Sequence, residues 1–278
     1  MKYMIGIGDS WCSGEGAWPD WLLKKYNYDV QYAKHRSAVP LERDKLAEIE
    51  KEEQKYCWLT QLCEQHFPDY TAVNLGLPGK GNIAAAQQLK TLDLDLENND
   101  FIILYCLTTY DRYDIYNVDR NYWETYFPDA GRLIENDTEI EYYFSYFYAK
   151  HLWCKEFAEF NTLSSLIDVQ NFAKAFGGKM LFFNGFNQDR LTPESSLYKK
   201  INWAQCLHTY TEYKSFLDWL LSMEMKNIPA DVNPIEYLRS LSKPSEYLTQ
   251  CLGAHPTIKG HAMIAQEIAH VINTINQS

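Results

Sequence analysis

Short apolar runs recur along the chain, separated by stretches with helical spacing. The runs are Lys2–Ile7 (K-Y-M-I-G-I), 70–75 (Y-T-A-V-N-L), 101–107 (F-I-I-L-Y-C-L) and 179–183 (K-M-L-F-F). Each has strand length, and 101–107 is continuously apolar, as a parallel strand covered on both faces is. Between them, 41–66 reads as a helix that is charged from Glu42 to Lys55 and then carries Trp58, Leu59, Leu62 and Cys63 at helical spacing before Pro68. Residues 83–92 are strong helix formers. Residues 150–176 form a helix stopped by Gly177-Gly178. Residues 202–225 are helical and aromatic, and 229–251 are broken by Pro234 and Pro244. Residues 258–275 place Ile264, Ile268, Val271 and Ile272 on one face of a last helix. Alternating strands and helices imply one parallel-sheet α/β domain over 1–278. Its loops are elaborate. Residues 15–40 are irregular, and 108–148 form an aromatic-rich insertion too long for a passive loop.

Composition narrows the function. An apolar content of 46% in 278 residues is enough for a sizeable core. Aromatic content is 15%, with 21 Tyr and 8 Trp, much of it in the middle third. That suits an aromatic-lined surface, a carbohydrate-facing cleft or an aromatic core. A net charge of -11 without a basic stripe argues against a nucleic-acid partner. No apolar run approaches the roughly 18–20 residues of a membrane span, so no membrane partner is expected. Asp9 follows so soon after Ile7 that no signal-peptide h-region is expected either. The seven cysteines include no C-x-x-C pair. They read as reduced thiols of a cytoplasmic protein or of a virion component released by lysis, with no disulfide framework and no zinc.

Candidate chemistry gathers at the ends of the strands. The first run leads into Gly8-Asp9-Ser10-Trp11-Cys12-Ser13-Gly14, the second into Asn74, Gly76 and Gly79, the third into Thr108 and Thr109, and the C-terminal loop holds His255. In an open parallel sheet these carboxyl ends share one edge, where ligands bind. A hydroxyl nucleophile, an imidazole and a Gly-rich loop with free N–H groups are the parts of acyl transfer. Taken alone, G-D-S is also an ordinary turn. The reading needs Ser10 open to solvent and within relay distance of His255. Cys12 has no basic neighbour to activate it. His261 reads as a helix-surface histidine. His35, His66, His151, His208 and His270 show no metal-ligand spacing, and no metal or cofactor is implied. Asn184 and Asn187 either contact substrate or form a turn.

The stretches G-D-S-W-C-S-G, N-L-G-L-P-G and A-H-P-T-I-K-G-H resemble, in order, the first two blocks and the histidine block of the SGNH (GDSL-type) hydrolases. The resemblance implies a flavodoxin-like, three-layer α/β/α fold with a parallel sheet of four to five strands and long loop insertions. It also implies hydrolysis of an ester or O-acetyl group without a cofactor. Ser10 would be the nucleophile and His255 the general base, with the N–H groups of Ser10 and Gly79 as oxyanion donors. Residues 80–82 would open a helix whose dipole favours the developing anion.

Two blocks depart from the pattern. The third usually reads G-x-N-D, but here the chain runs L-T-T-Y-D-R-Y-D, so Thr108, then Thr109, is the candidate oxyanion donor. T-T-x-x-R resembles a bacteriophage variant, which would make Arg112 a binder of an acidic substrate group. Otherwise it pairs with Asp111 or Asp114. The last block usually reads D-x-x-H, but Leu252 stands where the Asp would be. In serine proteases, replacing that Asp by Asn costs about four decades in rate. Either a backbone carbonyl, Glu246 or another acid serves His255, or catalysis is weakened. Asp9 supports the nucleophile turn, and with Asn82, Thr109, Arg112 and Asn184 it makes up the candidate substrate-contacting set. The expected function is a serine esterase acting on a small-molecule or carbohydrate ester. The alternative is the same fold kept as a binding or structural module, for example in a phage particle.

Overall fold

Strands β1 (Lys2–Ile7), β2 (Tyr70–Asn74), β3 (Asp100–Leu107) and β6 (Lys179–Asn184) form one parallel sheet in the order β2-β1-β3-β6. Between the last two, β4 (Tyr113–Asn117) and β5 (Tyr122–Tyr126) make a separate antiparallel hairpin. The computed structural model describes residues 1–25, 43–119, 121–128, 146–186, 191–224, 237, 245–249 and 254–277. Its helices are α1 (Ser10–Ser13), α2 (Asp20–Lys25), α3 (Arg43–Tyr56), α4 (Trp58–His66), α5 (Asn82–Gln88), α6 (Lys155–Ala175), α7 (Phe216–Glu224) and α8 (Ile258–Gln277).

Period-two alternation divides each strand between two cores. Met4, Ile102, Leu104, Cys106, Leu181 and Phe183 meet Leu59 and Leu62 of α4 and Ile264, Ile268 and Ile272 of α8. Tyr3, Ile5, Ile7, Ile103, Tyr105, Leu107 and Phe182 meet Ala85 and Ala86 of α5 and Leu163, Leu166 and Val169 of α6. The result is the three-layer α/β/α arrangement. The chain goes from β1 outward to β2, then crosses back to place β3 on the other flank of β1. That reversal is the topological switch point beside which ligands bind in such sheets. Ser10 follows β1 and Thr108 follows β3, so both stand at this crevice.

Tertiary packing reshapes two of the expected helices. The run 41–66 breaks at Cys57, which is extended (φ -66°, ψ 157°) between α3 and α4. The break turns Trp58 inward, where its indole N–H donates to Trp11 O at 3.0 Å. The stretch 202–225 is α-helical only over α7. Before it come the tight turns Trp203–Gln205 and Leu207–Tyr210. They lie along β6, where Cys206 forms a parallel bridge to Phe182 and the His208 Nε2 accepts the Asn184 N–H at 2.9 Å.

The first part of the insertion is the hairpin, and 129–145 lie outside the described residues. Asp114 of β4 holds it in place. Its carboxylate accepts from Gly81 N at 2.8 Å, Ala84 N at 2.9 Å and Thr125 Oγ1 at 2.7 Å. The N-terminus of α5 is therefore capped by the hairpin's own acid, and its dipole is not left for a substrate anion as expected. Asp114→Ala strips two helix N–H groups and a hydroxyl of their acceptor, and should lower stability by about 1–3 kcal/mol in urea unfolding. Asp114→Asn keeps one acceptor oxygen and should lose less.

Candidate active site

The site begins where β1 ends. Gly8 has a φ of +152°, and a Cβ there would come within 2.5 Å of Cys106 O, so the turn out of β1 needs glycine. Asp9 then caps α1. Its Oδ1 accepts from Trp11 N, and its carbonyl accepts from Cys12 N and Ser13 N, each at 3.0 Å. Ser10 becomes the first residue of a one-turn helix that ends at Gly14 in the left-handed conformation. The loop after β2 packs onto this turn. Leu77 N donates to Gly8 O at 2.9 Å, Asn74 Nδ2 to Cys12 O at 2.9 Å, and a Cβ on Gly76 would lie 2.3 Å from Ser13 N. Gly79, at φ +75°, is the exposed tip of that loop.

His255 comes from the far end of the chain. Its carbonyl accepts Thr249 N at 2.7 Å, and Pro256 bridges to Leu248, so a short ladder fixes the residue just before α8. The His255 Nε2 lies 2.7 Å from the Ser10 Oγ. The structure thus brings the two together across 245 positions. It does not leave the serine open as the sequence reading required: Ser10 is 4% exposed and His255 6%. All four residues of α1 are buried, and the imidazole lies against the hydroxyl.

The other expected site residues form a scaffold. Asp9 Oδ2 accepts from Thr108 Oγ1 at 2.7 Å and from Arg112 Nη1 at 3.1 Å. Arg112 also donates to Lys80 O at 2.9 Å, and its guanidinium lies over the rings of Phe127 (5.5 Å) and Phe186 (5.9 Å). Its ion-pair partner is Asp9 and not Asp111 or Asp114. Thr108 gives its hydroxyl hydrogen to Asp9, which removes it as an oxyanion donor in this arrangement; Thr109 is half-buried beside it. Asn82 is buried, its Oδ1 accepting from Thr108 N at 3.0 Å and its Nδ2 donating to Thr108 O and Thr162 Oγ1, both at 3.3 Å. It ties β3 to α5 and α6. The Asn184 amide donates to Lys214 O at 2.9 Å. Burial, with Cys57 and Asp9 nearby, pushes the Cys12 thiol pKa well up, as suits an unreactive thiol.

Four findings concern the histidine's surroundings. Glu246 is not its partner: it is exposed and paired with Lys259. His261 is not on the surface but fully buried, with Nδ1 accepting Trp58 N at 3.3 Å. Its position on the inner face of α8, near Ile264 and Ile268, was the sequence signal for this. Glu15, which the sequence reading passed over, places Oε2 3.7 Å from the His255 Nε2. The His255 Nδ1 is buried and has no hydrogen-bond partner among the described residues. Leu252 and Asn187 lie outside the described residues.

Among the described residues no group of three His, Cys, Asp or Glu side chains converges as a metal site would, and no helix is long and apolar enough to cross a membrane. No protein-family model and no curated protein matches the chain. Among solved structures it is similar to a possible lipase from Chitinophaga pinensis, with 15% identity over 99% of each chain and a TM-score of 0.31. A likeness at that score carries no argument about this chain.

The buried histidines make stability depend on pH. Burial lowers the pKa of His261 to about 3 and that of His208 to about 4. Both stay neutral in the fold, while the unfolded chain takes up protons below about pH 6.5. The unfolded state then binds more protons, so stability is lost as pH falls from about 6.5 towards 4. Each histidine contributes a slope approaching about 1.4 kcal/mol per pH unit. Urea unfolding between pH 7 and 5 should show this loss, and His208→Gln or His261→Gln should each remove about half of the two-histidine slope.

Proposed function

We propose that this protein is a serine hydrolase that cleaves a carboxylic ester or O-acetyl group through an acyl-enzyme. The observation that carries the reading is the 2.7 Å contact between Ser10 Oγ and His255 Nε2 at the carboxyl edge of a parallel sheet. A hydroxyl held by a neutral imidazole is a nucleophile with its base already in place. The resemblance of the three sequence blocks to SGNH hydrolases supports the same assignment.

In this reading Ser10 Oγ attacks the acyl carbon while its proton passes to Nε2. The carbonyl π pair moves onto oxygen, where the N–H groups of Ser10 and Gly79 receive it. The tetrahedral intermediate collapses, the ester C–O bond breaks, and the Nε2 proton goes to the departing alcohol oxygen. Water, deprotonated by the same nitrogen, then releases the acid. Asp9 keeps α1 capped, and Thr108 and Arg112 keep Asp9 in place. A carbohydrate ester suits the hairpin, where Tyr116 and Tyr122 are exposed, Trp123 packs edge-on against Tyr116 at 5.3 Å, and Lys80 lies 5.4 Å over the Tyr122 ring. The burial of Ser10 favours a second reading, a binding or structural module on the same fold.

Hydrolysis of p-nitrophenyl acetate by the wild type and by Ser10→Ala separates the two. A serine hydrolase should show a nitrophenolate burst, and the variant should lose about three decades or more of the rate. Equal background rates from two folded proteins would rule out the nucleophile and favour the module.

A further inference from the structure

We propose that Glu15 is a positioning residue for His255, the acid that stabilises its imidazolium. The inference deepens the serine-hydrolase reading and rests on it. Glu15 Oε2 stands 3.7 Å from the His255 Nε2, with the two side chains only 15% and 8% exposed. A carboxylate this near an imidazole, shielded from solvent, favours the charged form of the ring.

The backbone around Glu15 is held on every side. Its N–H donates to Ser10 O at 3.0 Å, so it belongs to the same turn as the nucleophile. Gly14 before it packs on α3, where a Cβ would meet Glu53 O at 2.8 Å. Gly16 after it has φ +96°, and a Cβ there would lie 2.9 Å from the His255 Cβ and 2.5 Å from Pro256 O. These glycines let the segment 14–16 lie flat against His255.

The charged groups of the neighbouring elements are engaged elsewhere. Asp9, before α1, is neutralised by Arg112 and accepts from Thr108. Glu53 of α3 accepts from the Trp18 indole. His261 of α8 is neutral, and Glu246 is paired with Lys259 at the surface. Glu15 is the acid that the described structure places within ion-pair distance of the catalytic imidazole.

The position of the contact defines its role. An Asp at Nδ1 fixes the tautomer, whereas Glu15 faces Nε2, the nitrogen that exchanges the proton. In the resting state that nitrogen accepts from the Ser10 hydroxyl. Once Oγ has bonded to the acyl carbon, the new Nε2–H has the carboxylate close by until it passes to the leaving oxygen. Glu15 therefore sets the charge balance of the ring and acts on substrate only through it.

The test is an NMR titration of the His255 ring in the wild type and in Glu15→Gln, alongside kcat/KM against pH for p-nitrophenyl acetate. Glu15→Gln should move the His255 titration to lower pH. The acid limb of kcat/KM should move down with it, and its plateau should fall severalfold. Glu15→Asp should recover part of each change, which a purely structural loss would not. An unchanged titration in a folded Glu15→Gln protein overturns the proposal. If Glu15→Gln does not fold, Glu15→Asp decides, since a withdrawn carboxylate must still lower the pKa measurably. A pKa shift without any Ser10-dependent esterase activity would uphold the Glu15–His255 pair and defeat the serine-hydrolase reading instead.

Discussion

A buried carboxylate organises the carboxyl edge of the sheet, where the candidate site lies. Asp9 sits where β1, β3 and the hairpin meet, and it is almost wholly out of water. An unpaired charge there would cost several kcal/mol even after relaxation. The chain meets that cost with three donors from three places: the Trp11 N–H of α1, the Thr108 hydroxyl after β3, and the Arg112 guanidinium at the mouth of the hairpin. Each donor is fixed by the bond it makes. The acid that caps the helix of Ser10 thus also sets the end of the neighbouring strand and the root of the insertion.

The second constraint is closure of the chain. Ser10 and His255 stand at opposite ends of the sequence, and the packing of α8 against α4 and the sheet, with the short ladder before α8, brings them together. His261 belongs to this closure. Buried on the inner face of α8, it accepts the Trp58 N–H, and that N–H exists as a free donor because the helix breaks at Cys57. An irregularity in one helix is therefore matched by a polar residue in another, which explains an imidazole in an otherwise apolar interface.

The strands were legible because both faces of the sheet are covered, so apolar residues run without interruption through 101–107 and 180–183. Ser10 and His255 were legible because their surroundings in sequence are distinctive. What escaped was set by long-range packing. Nothing local marks Cys57 as a break, since the residues on either side have helical spacing. The turns over 203–210 exist because that stretch lies along β6, which no local window reveals. Thr108, Arg112 and Asn82 were identified as site residues, but their partners are one another and Asp9, and pairing of that kind is decided in three dimensions. Glu15 looked like one more polar residue in an irregular stretch.

The proposed site has its acid on the Nε2 side of the ring. In the SGNH pattern that the sequence resembles, an Asp stands three positions before the histidine, and this chain has Leu252 there. The turn after α1 instead carries an acid to Nε2, from the same segment that carries the serine. In the proposed site, nucleophile and acid belong to one short segment, capped by Asp9 and closed by glycines at 14 and 16. The histidine reaches that segment from the far end of the chain. Such a site depends less on the loop before α8 than one whose acid and base both come from that loop. In that reading Nδ1, which is buried with no hydrogen-bond partner among the described residues, carries the ring hydrogen whenever Ser10 donates to Nε2.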